Sequence, residues 1–384
     1  MAGQRERSGA LNFSADRVLA IFVVGVIGVL IPGLQPQLLG ALAAEGRLSV
    51  AALGILATVE LLAMGIAAGA SGFVLPVTRL RATAGVALLL TAAADLLTPL
   101  LGTGPLFGAR IVAGLGEGVL IWIAIGFIIR TDRPERWSGI YLAVQTLAQF
   151  ALASAIGYVA ATSAGGFTAL GAVTLAGLLA LPWLPAAYPP LTASDDTGGL
   201  PSTRGLVALG GVVLYLAFIV AVWVYIEPLG LERGLSQATI HLVAPLSLGM
   251  QVLGAGAATL LAGRLPARGT IVSVGLINLG LLAIMGAPPS AEAFVAATAA
   301  FGFLWLFALP FQIPIVIAAD PSRRAALLIG GAQLTGSSLG PLLAGILIGD
   351  KDVGHVLWFG AVCAIAGITA LIGAVAMRRM TGEA

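Results

Sequence analysis

Five charged side chains fall inside long apolar runs of this 384-residue sequence: Glu60, Asp95, Arg110, Glu117 and Glu227. A charge inside the hydrocarbon core of a bilayer costs at least about 2.5 kcal/mol, so each is a candidate for ion pairing or chemistry. At a rise of about 1.5 Å per residue, Glu60 and Glu117 lie near the midplane of their predicted helices, whereas Asp95 and Arg110 share a shallower depth. We therefore expect Arg110 to pair with Asp95 or, alternatively, with Glu60.

A carboxyl group buried beside an arginine can carry a proton. A dry interior disfavours the charged form and a nearby guanidinium favours it, so small changes of surroundings load and unload the proton. Glu117 and Arg110 share one helical stripe, since seven residues complete nearly two turns. We expect Glu117 or Glu60 to carry the proton, with Arg110 and Asp95 completing a proton-coupling group. The alternative is that these charges only pair with one another and fix helix packing.

Polar and aromatic side chains within the apolar runs are candidates for lining a solute path. Amide and aromatic groups together suit an organic, partly apolar solute better than a bare ion. Gln145 and Gln149 are four residues apart and share a helix face, while interface anchoring is the alternative for any single tryptophan or tyrosine. The candidate substrate-binding residues are Gln35, Gln145, Gln149, Tyr215, Trp223, Tyr225, Glu227, Gln251, Asn278, Trp305, Gln312 and Gln333.

The elements that position these residues are apolar runs bounded by charge, proline or glycine. The sequence is 59% hydrophobic and 9% charged, against about 25% charged in a soluble domain. It therefore predicts an all-α membrane protein with twelve transmembrane helices in two pseudo-symmetric six-helix bundles. The predicted spans are 18–40, 50–72, 82–101, 105–129, 137–160, 165–185, 205–230, 238–262, 269–287, 292–318, 325–348 and 354–377.

Charge asymmetry predicts the topology. The bundles are expected at 1–187 and 205–384, joined by a cytoplasmic linker at 188–204 that is rich in Pro, Ser, Thr, Asp and Gly. On one side of the predicted spans lie Arg5, Arg7, Arg17, Arg79, Arg81, Arg130, Arg133, Arg136, Arg204, Arg264, Arg268, Arg323, Arg324, Arg378 and Arg379, and on the other lie Arg47, Arg233 and Lys351. By the positive-inside rule, we expect a multi-pass protein of a bacterial inner membrane with both termini cytoplasmic.

Composition disfavours several function classes. Cys363 is the single cysteine, and His241 and His355 stand apart, so neither a metal site nor a cofactor is expected. The formal charge of +2 reflects topology, and no nucleic-acid partner is expected. The sequence contains no nucleotide-binding loop of the Walker type, which argues against direct ATP drive. We expect the protein not to be an enzyme; a membrane-embedded enzyme or a sensor is the alternative from another class.

Closely spaced small residues carry a family resemblance. The segment Arg110-Ile-Val-Ala-Gly114-Leu-Gly116-Glu117-Gly118 resembles the fourth-span signature of the major facilitator superfamily, an arginine followed by spaced small residues. The segment from Gly336 through Gly340 and Pro341 to Gly345 resembles the glycine and proline motif of that family's drug antiporters, displaced from span 5 to span 11. The loop at Gly72 to Arg81 lacks the family's aspartate.

The resemblance implies a secondary active transporter that works by alternating access, with Arg110 associated with proton coupling. It implies conformational roles for Gly114, Gly118, Gly336, Gly340 and Pro341. We expect a monomeric, proton-coupled antiporter that exports a small organic solute, a drug or a metabolite, with the solute, protons and the lipid bilayer as its partners. The alternative is a proton-coupled importer of a metabolite or organic anion, in which Arg110 contacts the substrate.

Overall fold

The structure is a computed structural model that describes residues 13–128, 130–131, 134–159, 162–189, 200–261, 263–288, 290–322, 324–349 and 352–380. Some of the expectations lie outside the described residues. They concern Arg5, Arg7, Arg133, Arg323 and Lys351, the side chains of Arg136, Arg378 and Arg379, and most of the predicted linker. Within them, all regular structure is helical.

The chain forms fourteen α-helices and two short 3-10 helices in these ranges. The α-helices are α1 Ala15–Ile27, α2 Leu30–Ala44, α3 Val50–Val74, α4 Leu80–Leu97, α5 Thr103–Ile128, α6 Pro134–Val159, α7 Ser163–Ala176, α8 Thr203–Glu232, α9 Gln237–Leu261, α10 Ala267–Gly286, α11 Ala291–Ala319, α12 Arg324–Leu327, α13 Ile329–Ile348 and α14 His355–Met380. The 3-10 helices Thr98–Leu100 and Gly177–Ala180 extend α4 and α7.

Twelve helical segments are long and apolar enough to cross a bilayer, which confirms the predicted all-α, twelve-span architecture. The first span combines α1 and α2, and the short α12 crosses nothing, so α3 to α11 are spans 2 to 10, and α13 and α14 are spans 11 and 12. Most bounds fall within a few residues of those predicted. The eleventh span begins at Ile329 instead of 325 because the separate turn of α12 precedes it.

The first span is interrupted between Ile27 and Leu30. Pro32 has no N–H to donate to the carbonyl of Gly28, so the helical hydrogen-bond ladder fails at this point. Within α2, Pro36 likewise leaves the carbonyl of Pro32 free, and the indole N–H of Trp223 donates to it at 2.9 Å. Backbone groups freed in a membrane must find partners inside the protein, and α8 supplies this one.

Contacts between helices repeat with an offset of six spans. The pairs α3–α5, α4–α5, α4–α7 and α1–α5 in the first half correspond to α9–α11, α10–α11, α10–α14 and α8–α11 in the second. Across the halves, α3 packs on α13 and α6 packs on α9, and the same offset exchanges these two contacts. The contact between α2 and α8 joins the first and seventh spans.

Candidate functional site

A buried ion cluster lies where α3, α4 and α5 meet. Arg110 of α5 donates from Nη1 to Oε1 of Glu60 on α3 at 2.9 Å, and from Nη2 to Oδ1 of Asp95 on α4 at 2.9 Å. All three side chains have zero exposed surface. The two alternatives drawn from the sequence are therefore both realised, because one guanidinium serves two carboxylates on different helices.

Two neighbours complete the surroundings of the guanidinium. Nη2 of Arg110 also donates to the Thr98 hydroxyl at 2.8 Å, and the ring of Phe167 lies 4.8 Å from the guanidinium carbon. Thr98 follows Asp95 by three residues, a spacing that places both on one face of a helical turn. Neither residue was among the candidates predicted from the sequence, although this spacing was a usable signal for Thr98. Phe167 has no comparable signal because it comes from α7.

Glycines on α5 bring the three helices close enough for these contacts. A side chain at Gly114 would collide with the backbone carbonyl of Glu60, and one at Gly118 would collide with that of Met64. On the opposite face of α5, Gly116 packs on Thr91 of α4. Small residues allow helices to approach closely in a membrane, where lipid provides no hydrophobic drive for association.

Glu117 adds a third carboxyl group to the same region. It lies two turns beyond Arg110 on α5, and only 1% of its surface is exposed. Arg110, Glu60 and Asp95 all act on it electrostatically. Among the described residues, Oε2 of Glu117, Oε2 of Glu60 and Oδ2 of Asp95 are buried and have no hydrogen-bond partner. Two carboxyl groups therefore bind one guanidinium and a third lies within its electrostatic influence, which leaves an excess of acid in a dry interior.

The turn between α2 and α3 covers this cluster at one end of the bundle, which we call the Arg47 end. The Arg47 guanidinium donates to the carbonyls of Thr98 and Leu101 at 3.1 and 2.9 Å, and to the Ser163 hydroxyl at 3.2 Å. Glu45 accepts hydrogen bonds from Ser163, through its backbone N–H at 2.7 Å and its hydroxyl at 2.5 Å. Thr98 thus contacts Arg110 with its hydroxyl and Arg47 with its carbonyl.

One candidate solute-binding residue, Trp223, lies at the contact between the halves, where its indole N–H donates to the carbonyl of Pro32. Trp223 of α8 and Trp305 of α11 meet edge to face, with ring centroids 5.8 Å apart. Gln149 donates to the carbonyl of Val29 at 2.5 Å, next to the break in the first span. Gln35 and Gln312 are fully buried, and neither end of either amide has a hydrogen-bond partner among the described residues. Both amides therefore keep unsatisfied donors and acceptors within the described part of the chain.

Tyr225 also lies at the contact between the halves, whereas Tyr215 and Asn278 lie within the second half. The Tyr225 hydroxyl accepts from Gly54 N at 2.8 Å and donates to the carbonyl of Ala51, so it joins α8 to α3. Tyr215 packs on Phe218 inside the second half. Asn278 is buried on α10, which packs on α11 and α14, and it lies apart from the contact between the halves.

Three further amides line the helices on either side of that contact. Gln251 is buried on α9, and its Nε2 has no partner in the described part of the chain. Gln145 on α6 and Gln333 on α13 are half-buried. Gln145 and Gln333 are therefore more accessible than Gln35 and Gln251.

Glu227 lines a cavity of about 280 Å³ at the Arg47 end, together with residues of α2, α6 and α9 and with Thr162, which precedes α7. It lies apart from the Arg110 cluster and forms no ion pair among the described residues. His241, which stood alone in the sequence, also lines this cavity. Sequence spacing contained no signal for their meeting, because they belong to different spans.

The conformational candidates on α13 pack directly on neighbouring helices. A side chain at Gly336 or Gly340 would collide with the backbone of α8, at Val213 and Ala217 respectively. The carbonyl of Pro341 contacts Gly54 of α3. The segment that resembles an antiporter motif thus lies where α13 meets both α8 and the other half.

This geometry defines the class of protein: a twelve-span membrane protein with a buried charge cluster, consistent with a transporter. No protein-family model matches the sequence, and a search of curated proteins finds no match.

Proposed function

We propose that this protein is a proton-coupled secondary transporter that exports a small organic solute by alternating access. The observation that carries the proposal is the buried group of Glu60, Asp95 and Glu117 around the single guanidinium of Arg110. The proposal includes membership of the major facilitator superfamily. The two bundles would be 1–187 and 205–384, joined by a linker at 188–204. The contacts that repeat with an offset of six spans support it.

Charge balance makes this cluster suitable for carrying a proton. One guanidinium can neutralise one carboxylate, and a second is tolerable where hydrogen bonds compensate it. A third ionised carboxyl group in the same dry interior would be strongly unfavourable. Glu117, which forms no ion pair with Arg110, therefore holds a proton at rest. This proton passes between Glu117 and Glu60 when the helices move. Arg110 sets the balance between the two.

The contact between α3 and α13 supports alternating access. Near the Arg47 end the helices touch closely: Thr58 Oγ1 donates to the carbonyl of Ser338 at 2.6 Å. Towards the other end the contact weakens. A side chain at Gly65 would lie 3.9 Å from Leu334, and one at Gly69 would have no neighbour within 4 Å among the described residues. A pair of helices that is closed at one end and parted at the other is what a rocking bundle requires.

Import of an organic anion is the competing function, and it needs Arg110 to contact the substrate. The two terminal nitrogens of Arg110 already serve Glu60, Asp95 and Thr98, and Phe167 covers the guanidinium. Only Nε lacks a partner in the described part of the chain. An incoming anion would have to displace two carboxylates, which favours the proton-coupling role.

The proposed setting is a bacterial inner membrane with both termini in the cytoplasm, so that the Arg47 end faces outwards. The distribution of basic residues in the sequence supports this orientation. A monomer that moves a solute and protons needs no cofactor for this function.

Everted membrane vesicles test the proposal. Respiration acidifies their interior, and an exporter exchanges internal protons for added solute, which dequenches a pH-sensitive acridine dye. Choline, ethidium, benzoate and glucose represent cationic, anionic and neutral solutes. We expect at least one to release the quench, and Glu117→Gln, Glu60→Gln and the double variant each to slow the response by at least about tenfold, a barrier change of about 1.4 kcal/mol.

The matched control is Glu292→Gln, which removes an exposed carboxylate from the first turn of α11 at the same end of the bundle. Its response should equal that of the wild type. If all three cluster variants release the dye quench as fast as the wild type, the assignment of the proton carrier is wrong. A wild-type protein that responds to none of the four solutes would count against proton-coupled export of this kind.

A further inference from the structure

The cavity at the Arg47 end lies between the two halves. It is formed by α2, by the adjacent ends of α6, α8 and α9 and by Thr162 just before α7, and its volume is about 280 Å³. Pockets for drug-sized ligands usually span about 300 to 1,000 Å³, so this cavity suits a smaller molecule. Leu38, Ile156 and Leu231 give it apolar walls, and Gln37, Glu45, Glu227 and His241 contribute polar groups.

Glu227 is the unusual member of the lining. Only 5% of its surface is exposed, and its Oε1 has no hydrogen-bond partner among the described residues. Its other oxygen lies only 2.8 Å from the place where a side chain on Gly40 would begin, so the glycine makes room for the carboxylate against α2. A buried carboxyl group that faces a cavity without a partner is costly unless something else balances it.

Among the described residues, the lining contains carboxyl groups but neither lysine nor arginine. Glu45 accepts both hydrogen bonds from Ser163 and is already engaged. Arg233, near the end of α8, lies beside Glu232 and Asp352 at 3.6 and 3.7 Å and is not part of the cavity wall. Glu227 is therefore the group in this cavity that lacks a counter-ion.

We propose that this cavity binds a small organic monocation of the alkylammonium type, with Glu227 as its counter-ion. A bound cation would balance the Glu227 carboxylate, which has no counter-ion of its own in the described lining, and the apolar walls match the alkyl part of such a cation. A divalent metal fits poorly, because Ca²⁺ takes six to eight oxygen ligands and this cavity offers few. The inference rests on the proposed function for one point, that the bound cation is also the transported solute.

Binding is measured on the purified full chain in detergent, with choline and tetraethylammonium as probes. A bound ligand raises the thermal midpoint by mass action, and titration gives the dissociation constant. The neutral isostere of choline, 3,3-dimethylbutan-1-ol, has the same shape without the charge. We expect at least one cation to stabilise the wild type, and the isostere to have no effect.

Glu227→Gln keeps the size of the side chain and should weaken cation binding by about tenfold or more, which corresponds to about 1.4 kcal/mol. Glu227→Asp should recover part of the affinity, and Glu292→Gln should bind as the wild type does. Equal binding by wild type and Glu227→Gln, equal binding of choline and its isostere, or no binding of either cation would each overturn the inference.

The two proposals fail in different ways. Cation binding that depends on Glu227, together with vesicles that show no proton exchange for any solute, would keep the site and refute the transport function. Proton exchange that depends on Glu117, together with cation binding that is indifferent to Glu227, would keep the function and refute this site.

Discussion

At the scale of single residues, Arg110 connects the buried polar groups of the first half. It is fully buried and binds Glu60, Asp95 and Thr98, which belong to two different helices. A buried ion pair contributes little net stability, because desolvation offsets most of the Coulomb attraction, but removing one partner leaves a costly unpaired charge. The cluster thus adds little net stability, but its interaction energy changes with the protonation and the relative positions of its members.

Asp320, outside the spans, allows a test of charge on stability. It ends α11, is buried, and accepts hydrogen bonds from Ala325 N and the Ser322 hydroxyl at 2.9 and 2.8 Å. Burial by itself would raise the pKa of this carboxyl, but these hydrogen bonds outweigh it and hold the pKa below its usual value. Stability from Asp320 is therefore present above the unfolded pKa near 4 and is lost as pH falls through the lower folded pKa.

Asp320→Asn should accordingly destabilise the protein at neutral pH by about 1 kcal/mol, similar to the loss of a helix cap. The difference from the wild type should remain from pH 7 to about pH 5 and shrink below about pH 4. Unfolding midpoints of both proteins in detergent, recorded across this pH range, provide the measurement. A difference that stays constant down to pH 3 would show that the charge of Asp320 is not its source.

At the scale of elements, α5 is a helix whose two faces are shaped by glycine. Gly118 packs on α3, where a side chain would meet the Met64 carbonyl and would lie 2.7 Å from the Ala67 Cβ. Gly108 on the same helix is exposed and has no neighbour within 4 Å of a side-chain position among the described residues. The two glycines form a matched pair for testing close packing.

Gly118→Ala should push α3 from α5 and destabilise the protein by about 1 to 3 kcal/mol, the usual cost of overpacking. Gly108→Ala should change stability by less than about 0.5 kcal/mol or raise it slightly, because alanine is the better helix former. Unfolding by sodium dodecyl sulfate titration compares the two. Equal stabilities for both variants would mean that the approach of α3 to α5 does not depend on Gly118.

At the scale of the whole molecule, the contact between α3 and α13 should open and close during transport. Thr58 and Ser338 meet across the halves near the Arg47 end. In a Cys363→Ala background, Thr58→Cys with Ser338→Cys should form a disulfide or bind a short bifunctional thiol reagent, and the link should stop proton-solute exchange. Reduction of the disulfide should restore the activity.

The pair Gly69→Cys with Gly330→Cys serves as the control at the other end of the same two helices. Neither glycine has a neighbour within 4 Å of its side-chain position in the described ranges, so this pair should resist the short reagent in the same state. Full activity with the Thr58–Ser338 link in place would exclude movement between α3 and α13 as the transport motion.

The sequence by itself determined the helix count, the approximate bounds and the membrane setting, because roughly 20 apolar residues per span is a local property that bilayer thickness imposes. It also named both partners of Arg110: Asp95 from its matched depth, which follows from the fixed rise of a helix, and Glu60 as the alternative. Only the tertiary structure decided that both pair at once, because Glu60, Asp95 and Arg110 lie on three helices whose mutual rotation depends on glycine packing.

The tertiary structure likewise separated residues that the sequence had grouped as one solute path. Tyr225 joins α8 to α3, whereas Glu227, two residues later, faces a cavity with His241 of the next span. Residues two apart on a helix point about 200° apart, so neighbours in sequence serve different surfaces. The surface that each residue meets depends on how helices that are distant in sequence pack together. The periodicity of a single span does not specify that packing.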